Sequence, residues 1–131
     1  LEGNSGPYVQ YGYARARSLL AKAEAAGIEI RYDEVHFGNK EERDLVKLIA
    51  QFPTIIGKAR DQKQPSIIAE YALSLAGLYS TFYQKSWQET HGILRVEDPT
   101  IRSSQLRLTS AFAQTLKNAL TLLGVPTPER I

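Results

Sequence analysis

The stretch of the chain between residues 64 and 88 limits the possible folds more than any other feature. Apolar side chains recur there every three or four residues, which is the spacing that places them on one face of an α-helix. Gln64-Pro65-Ser66 reads as the helix start, and the helix is predicted to run to about Trp87 or Gln88. The stripe consists of Ile68, Tyr71, Ala72, Leu75, Leu78, Tyr79 and Phe82. The sequence therefore predicts that this face lies in the core of the domain.

The first 26 residues predict a second helix with two different faces. Pro7 suits a first helical residue, with Asn4, Ser5 and Gly6 before it to cap and turn, and Gly27 suits the left-handed residue that ends a helix. One face is mainly apolar: Val9, Gly12, Tyr13, Ala16, Leu19, Leu20 and Ala23. The other is aromatic and basic: Tyr8, Tyr11, Arg15, Ser18 and Lys22.

No acidic residue lies between Pro7 and Lys22. A helical face that carries aromatic and basic groups over about 20 Å suits stacking on bases and pairing with phosphates. The pattern equally fits a solvated face whose tyrosines lie partly on the core. The pattern alone leaves both interpretations open.

The remaining chain alternates helices with loops. Residues 28–38 are predicted to be a connecting loop, and Asn39 with Glu42 forms a capping-box-like start for a helix to about Phe52. Pro53 breaks that helix and restarts it toward Gln62. The charged side chains of the helix before Pro53 are interpreted as a solvated face: Lys40, Glu41, Glu42, Arg43, Asp44 and Lys47.

Another loop is predicted between Glu89 and Pro99, and Asp98 is predicted to cap a last helix that Gly124 ends. The residues of this helix expected to face the core are Ile101, Leu108, Phe112, Leu116, Leu120 and Leu123.

Composition and motifs exclude several classes of function. The 131 residues are 43% hydrophobic and 23% charged, as in an ordinary globular domain, and they contain no cysteine for a disulfide or thiolate metal site. No apolar run approaches the roughly 18 residues of a membrane helix. No Walker-type phosphate loop, G-x-S-x-G or H-E-x-x-H motif occurs. His36 and His91 stand alone in loops, so neither predicts a metal or a catalytic base. The net charge of +2 is small, although positive charge is biased toward both ends of the chain.

Three segments resemble arginyl-tRNA synthetases. EGNSGPYVQYGYAR, from Glu2 to Arg15, is similar to the EGNTGPYLQYAHAR segment that opens their C-terminal anticodon-binding domain. PSIIAEYALSLAGLYSTFYQ resembles a second segment, with Pro65, Tyr71, Leu75, Ala76, Tyr79, Phe82 and Tyr83 at matching positions. The C-terminal stretch resembles the family ending, except that Ala113 replaces a usual arginine and Ile131 a usual methionine.

The resemblance implies an all-α bundle of four to five helices, the anticodon-binding domain of a class I aminoacyl-tRNA synthetase. Residues 1–131 would be one domain of a longer cytoplasmic arginine–tRNA ligase and would bind the anticodon loop of tRNA-Arg. The catalytic domain of the same polypeptide would use ATP and Mg²⁺ to arginylate the tRNA. No HIGH-like or KMSKS-like signature occurs in these residues. The fragment is therefore expected to be non-catalytic, without its own cofactor or metal and without a membrane or DNA partner.

The resemblance also implies a binding site. Tyr11 would pack against a base, Arg15 would hydrogen-bond a base edge or phosphate, and Trp87 would contact a flipped base. The other members of the implied site are Gly3 and Asn4 in the lead-in, Tyr8 and Lys22 on the aromatic and basic face, and Ile131 in a tail that returns beside the first helix.

Structural roles stay open for several of these residues. Arg15 could pair with a carboxylate, Gly3 and Asn4 could form only a cap, and Trp87 could cover the core. For the whole chain, two alternatives stay open: the related domain of the glycyl-tRNA synthetase β subunit, and a helical protein-interaction module that uses Tyr8, Tyr11 and Trp87.

Overall fold

The computed structural model describes residues 3–128, which fold into five α-helices without a β-strand. The helices are α1 (Ser5–Ala25), α2 (Lys40–Ala50), α3 (Phe52–Gln62), α4 (Ser66–Thr90) and α5 (Pro99–Leu122). A short 3-10 helix (Ile93–Arg95) lies in the loop before α5 and was not predicted. The predicted all-α class is confirmed.

The two longest helices, α4 and α5, form the centre of the bundle. They pack against each other, α1 and α2 each pack against both, and α3 packs mainly on α4. The core stripe predicted for α4 is buried except for the partly buried Leu78. At the centre, the ring of Tyr79 stacks on that of Phe112 with centroids 4.1 Å apart and planes only 4° from parallel. Aromatic packing between α4 and α5 therefore forms the middle of the core.

The helix ends follow the predicted signals with small shifts. α1 begins two residues before Pro7, which the fold tolerates because a proline anywhere in the first turn lacks only an N–H that has no helical partner. It ends as predicted: Gly27 has a φ of +70°, and the N–H of Ile28 bonds back to the carbonyl of Ala23. Near Pro53, only Gln51 separates α2 from α3, so Phe52 belongs to α3 rather than to α2.

The Asp98 cap offers a direct test of the helix signals. Its Oδ1 accepts the N–H groups of Thr100 at 2.9 Å and Ile101 at 3.3 Å, and the side chain is exposed. Asp98→Ala is therefore expected to lower the free energy of unfolding by about 1 kcal/mol, because it removes the cap and little packing. Urea unfolding followed by circular dichroism would measure the change. A loss close to zero would show that the cap contributes nothing to stability.

The loop 28–38 is held against α5 by two buried hydroxyl groups. The backbone N–H of Arg31 donates to Ser103 Oγ at 2.9 Å, and that of His36 donates to Ser104 Oγ at 2.8 Å. The loop therefore crosses α5 on its way from α1 to α2.

Glu42 contradicts the prediction that all the charges of α2 are solvated, because its side chain is only 3% exposed. Its carboxylate faces α5 and accepts two hydrogen bonds, from the N–H of Gly38 and from Gln105 Nε2, both at 3.2 Å. The predicted cap at the start of α2 is present, since Asn39 Oδ1 accepts the N–H of Glu42. Burial raises the pKa of the Glu42 carboxyl above its ordinary value.

The raised pKa predicts how stability depends on pH. The folded state holds the Glu42 proton more tightly than the unfolded state, so folding stability falls as pH rises through the two pKa values. Glu42→Gln removes that titration and keeps an oxygen that can accept the N–H of Gly38. We expect the variant to be more stable than the wild type above pH 7, by on the order of 1 kcal/mol. Urea unfolding of both proteins at several pH values would measure this difference. If Glu42 had an ordinary pKa, the difference in the free energy of unfolding between the two proteins would stay the same as the pH changes.

Candidate nucleic-acid interface

The two predicted faces of α1 are confirmed. Tyr8 is 43% exposed and Tyr11 50%, and Lys22 is exposed as well, whereas the apolar stripe lies in the core except for the partly buried Leu20. Gly12 lies where α1 packs on α4, since a Cβ at this position would meet the Cβ of Ala76 at 3.8 Å, an ordinary van der Waals distance. Of the aromatic and basic residues, Tyr8, Tyr11 and Arg15 border the groove between α1 and α4.

Arg15 is the central residue of this groove. The guanidinium carbon lies 4.1 Å from the ring centroid of Tyr83, 5.4 Å from that of Tyr11 and 5.8 Å from that of Tyr79. Its Nε is buried without a hydrogen-bond partner, and no carboxylate within residues 3–128 forms an ion pair with it. The alternative role in a salt bridge is therefore not observed in this part of the chain. A cation held by aromatic rings keeps its full charge for an external anion or base edge.

The surface near Arg15 is shallow. A notch of about 60 Å³ lies between α1 and α4, and its lining residues are Tyr8, Tyr11, Gly12, Arg15, Ala76 and Ser80. The exposed rings of Tyr8 and Tyr11 at the edge of the notch offer flat surfaces on which a base can stack.

Trp87 extends the same surface along α4. It follows Tyr83 by four residues and therefore lies on the same helix face, about 6 Å further along the axis. The indole is 50% exposed, and it packs against Gly92, where an added Cβ would approach the ring to 3.5 Å. Trp87 thus covers Gly92 with one part of its ring and leaves about half of the residue open to solvent, which is compatible with both a stacking platform and a cover on the core.

Tyr83 is the residue of this surface that sequence reasoning assigned to no site. The sequence identifies Tyr83 only as a position that matches the family segment, but the residue is half-buried and makes the shortest cation–π contact with Arg15. Its spacing from Trp87 was the available signal. From here on, the aromatic–basic surface means Tyr8, Tyr11, Arg15 and Lys22 of α1 with Tyr83 and Trp87 of α4.

The lead-in residues lie at the start of α1. Gly3 is exposed with a φ of +59°, a conformation that favours glycine. Asn4 occupies the N-cap position, but its side chain makes no capping hydrogen bond, and its carbonyl accepts the N–H of Tyr8 instead. The proposed cap role of Asn4 is thus carried only by its backbone.

The predicted tail contact can be followed only in part. Ile131 lies outside the described residues. The last described residues return beside α1, since Gln10 Nε2 donates to the carbonyl oxygen of Pro126 at 3.0 Å. Ala113, which replaces a usual arginine of the family, is 1% exposed, so this position holds an apolar group in the core.

Neither a metal site nor a membrane span is found in residues 3–128. No group of three or more His, Asp or Glu side chains is arranged to hold a metal ion there. No helix in this part of the chain is both long and apolar enough to cross a bilayer.

Comparison with known proteins agrees with this geometry. Residues 9–131 match the family described as the DALR anticodon binding domain. The chain is 37% identical over 130 residues to an arginine–tRNA ligase of Clostridium botulinum and 42% identical over 134 residues to one of Streptococcus pneumoniae. It superposes on the solved arginyl-tRNA synthetase of Thermus thermophilus with a TM-score of 0.82 and 30% identity.

Coverage in these comparisons is unequal. Each match includes 99% of this chain, but only 22% of the length of the ligases and of the Thermus thermophilus structure. The chain therefore corresponds to about a fifth of each longer protein.

Proposed function

Because the chain belongs to the DALR anticodon-binding domain family, we propose that it binds the anticodon loop of tRNA-Arg as one domain of an arginyl-tRNA synthetase. The aromatic–basic surface is the observation that carries this proposal. Tyr8, Tyr11 and Arg15 line the groove between α1 and α4, Arg15 has no carboxylate partner among the described residues, and the half-exposed Trp87 lies one helical turn beyond Tyr83 on α4.

The chemistry of an anticodon loop fits that groove. Its bases are unstacked and can lie on aromatic rings, and their edges and the nearby phosphates accept hydrogen bonds from arginine. Tyr8, Tyr11 and Trp87 supply the rings, and Arg15 supplies a planar set of donors. Lys22, two turns beyond Arg15, adds a positive charge for the backbone of the RNA.

The remaining steps of arginylation belong to the proposed longer polypeptide. A separate catalytic domain would bind ATP and Mg²⁺, activate arginine and transfer it to the tRNA in the cytoplasm. The residues of this chain would contribute tRNA affinity and discrimination of the anticodon. The relatives carry the arginine–tRNA ligase name, which supports this assignment over the glycyl-tRNA synthetase alternative.

Binding of tRNA-Arg transcripts at two salt concentrations tests this proposal. One transcript keeps the arginine anticodon and the other has it replaced, with the rest of the sequence unchanged. We expect tight binding of the first, weaker binding of the second, and a steep loss of affinity with salt because phosphate contacts release counterions.

Two other results would contradict the proposal in different ways. Equal affinity for both transcripts would indicate a generic basic surface without anticodon recognition. Absence of RNA binding by the full-length enzyme at low salt would favour a protein-interaction module, because exposed tyrosines and tryptophan are also common at protein interfaces.

A further inference from the structure

A serine hydroxyl lies in the notch between α1 and α4 without a function in the fold. Ser80 lines this notch together with Arg15 and the exposed Tyr8 and Tyr11. It follows Ala76, another residue of the lining, by one helical turn, so both lie on the same face of α4. Ser80 is not part of the aromatic–basic surface, and the cation–π contacts of Arg15 do not explain its presence beside the guanidinium.

The hydrogen bonds along α4 distinguish Ser80 from its neighbours. A hydroxyl group inside a helix commonly donates to the carbonyl oxygen three or four residues earlier. Thr81, Ser86 and Thr90 do so, at distances between 2.6 and 3.2 Å. Ser80 is partly buried, yet its Oγ has no hydrogen-bond partner within residues 3–128. Its hydroxyl is therefore free to donate and to accept in the notch.

Arg15 and Ser80 offer complementary hydrogen-bonding groups. A guanidinium only donates, whereas a serine hydroxyl donates and also accepts. The Watson–Crick edge of every base carries both acceptor atoms and N–H donors, so Arg15 can bond only one of the two kinds of group. Tyrosine rings that stack on a base turn their faces toward it rather than their hydroxyl groups. Ser80 therefore supplies the acceptor for an N–H group on a base edge that enters the notch.

We propose that the hydroxyl group of Ser80 hydrogen-bonds the edge of one anticodon base that stacks on Tyr8 or Tyr11, and that it helps to determine which base is accepted there. A wrong base presents its donors and acceptors at other places, which leaves polar groups in the notch unpaired. This inference rests on the proposed function, because it assigns one specificity contact within the anticodon-loop site.

Anticodon substitutions measured in two proteins test the proposal. The full-length wild-type enzyme and its Ser80→Ala variant are each titrated with a tRNA-Arg transcript and with transcripts that have one anticodon base changed at a time. At one anticodon position, we expect the loss of affinity caused by the base change to be about three- to tenfold smaller in Ser80→Ala than in the wild type. The losses at the other positions should be the same in both proteins.

The readout is a ratio of affinities within each protein, so a change in stability does not imitate it. Ser74→Ala is the matched control, because Ser74 is an exposed serine of α4 that lines a cleft beside α3 rather than the notch. This variant should discriminate between anticodons as the wild type does. Unchanged discrimination in Ser80→Ala, an equal reduction at every anticodon position, or the same reduction in Ser74→Ala would each overturn the proposal.

The wild-type titrations separate this inference from the proposed function. Equal binding of all transcripts by the wild-type enzyme would refute the proposed function and the role of Ser80 with it. Discrimination by the wild type that Ser80→Ala keeps in full would refute only the role of Ser80.

Discussion

Replacing Arg15 by alanine is expected to weaken binding of the tRNA-Arg anticodon stem-loop by about 10- to 100-fold. A hydrogen bond to a charged group contributes about 1.5 to 3 kcal/mol, and about 1.4 kcal/mol corresponds to tenfold in affinity. The rings of Tyr11 and Tyr83 already hold the guanidinium in place, so the RNA does not have to order a free side chain. Fluorescence anisotropy with a labelled stem-loop would measure the loss.

Two control variants separate charge from geometry in that experiment. Arg15→Lys keeps the charge but loses the planar donors, and we expect an intermediate affinity. Lys117→Ala removes one positive charge from an exposed position on α5 and should cause only a small loss. An equal effect of Arg15→Ala and Lys117→Ala would show that Arg15 contributes only general charge. Thermal unfolding of each variant would confirm that the fold is kept.

Phe112→Ala is expected to have the largest effect on stability, a loss of about 3 to 5 kcal/mol in the free energy of unfolding. Phe112 is fully buried, and its ring stacks on Tyr79 between the two central helices. The truncation would leave a cavity and remove the stacking contact. Since domains of this size have about 5 to 15 kcal/mol in total, the variant would be close to unfolding.

Urea unfolding followed by circular dichroism would test the effect of Phe112→Ala. Leu122→Ala serves as the control, because that side chain is largely exposed and should change the stability of the isolated domain by about 0.5 kcal/mol or less. A loss below about 1 kcal/mol for Phe112→Ala would contradict a core centred on the α4–α5 contact.

Local signals were sufficient to predict most of the fold. The three- and four-residue spacing in α4, the cap at Asp98 and the glycine after α1 each depend on neighbouring residues only, and all three predictions are confirmed. The burial of Glu42 could not be predicted in this way. It depends on Gln105, which is distant in the sequence and becomes a neighbour only when α2 packs on α5.

The candidate site, too, could be predicted only where it depends on neighbouring residues. The spacing of Tyr8, Tyr11 and Arg15 was enough to predict one exposed aromatic and basic face of α1. The contact between Arg15 and Tyr83 joins two helices, so no local pattern could reveal it. The RNA-binding roles of these residues, including those of Gly3, Asn4 and Ile131, stay predictions.

The fluorescence of Trp87 provides the most direct test of the aromatic–basic surface as an anticodon-loop site. Trp87 is the only tryptophan of the 131 residues, so its emission reports on this surface alone when the domain is titrated with unlabelled anticodon stem-loop. We expect saturable quenching by the arginine anticodon, because a base stacks on the exposed half of the indole, and much weaker quenching by a substituted anticodon. Stem-loop binding that leaves the Trp87 emission unchanged would contradict the account and place the RNA on another surface.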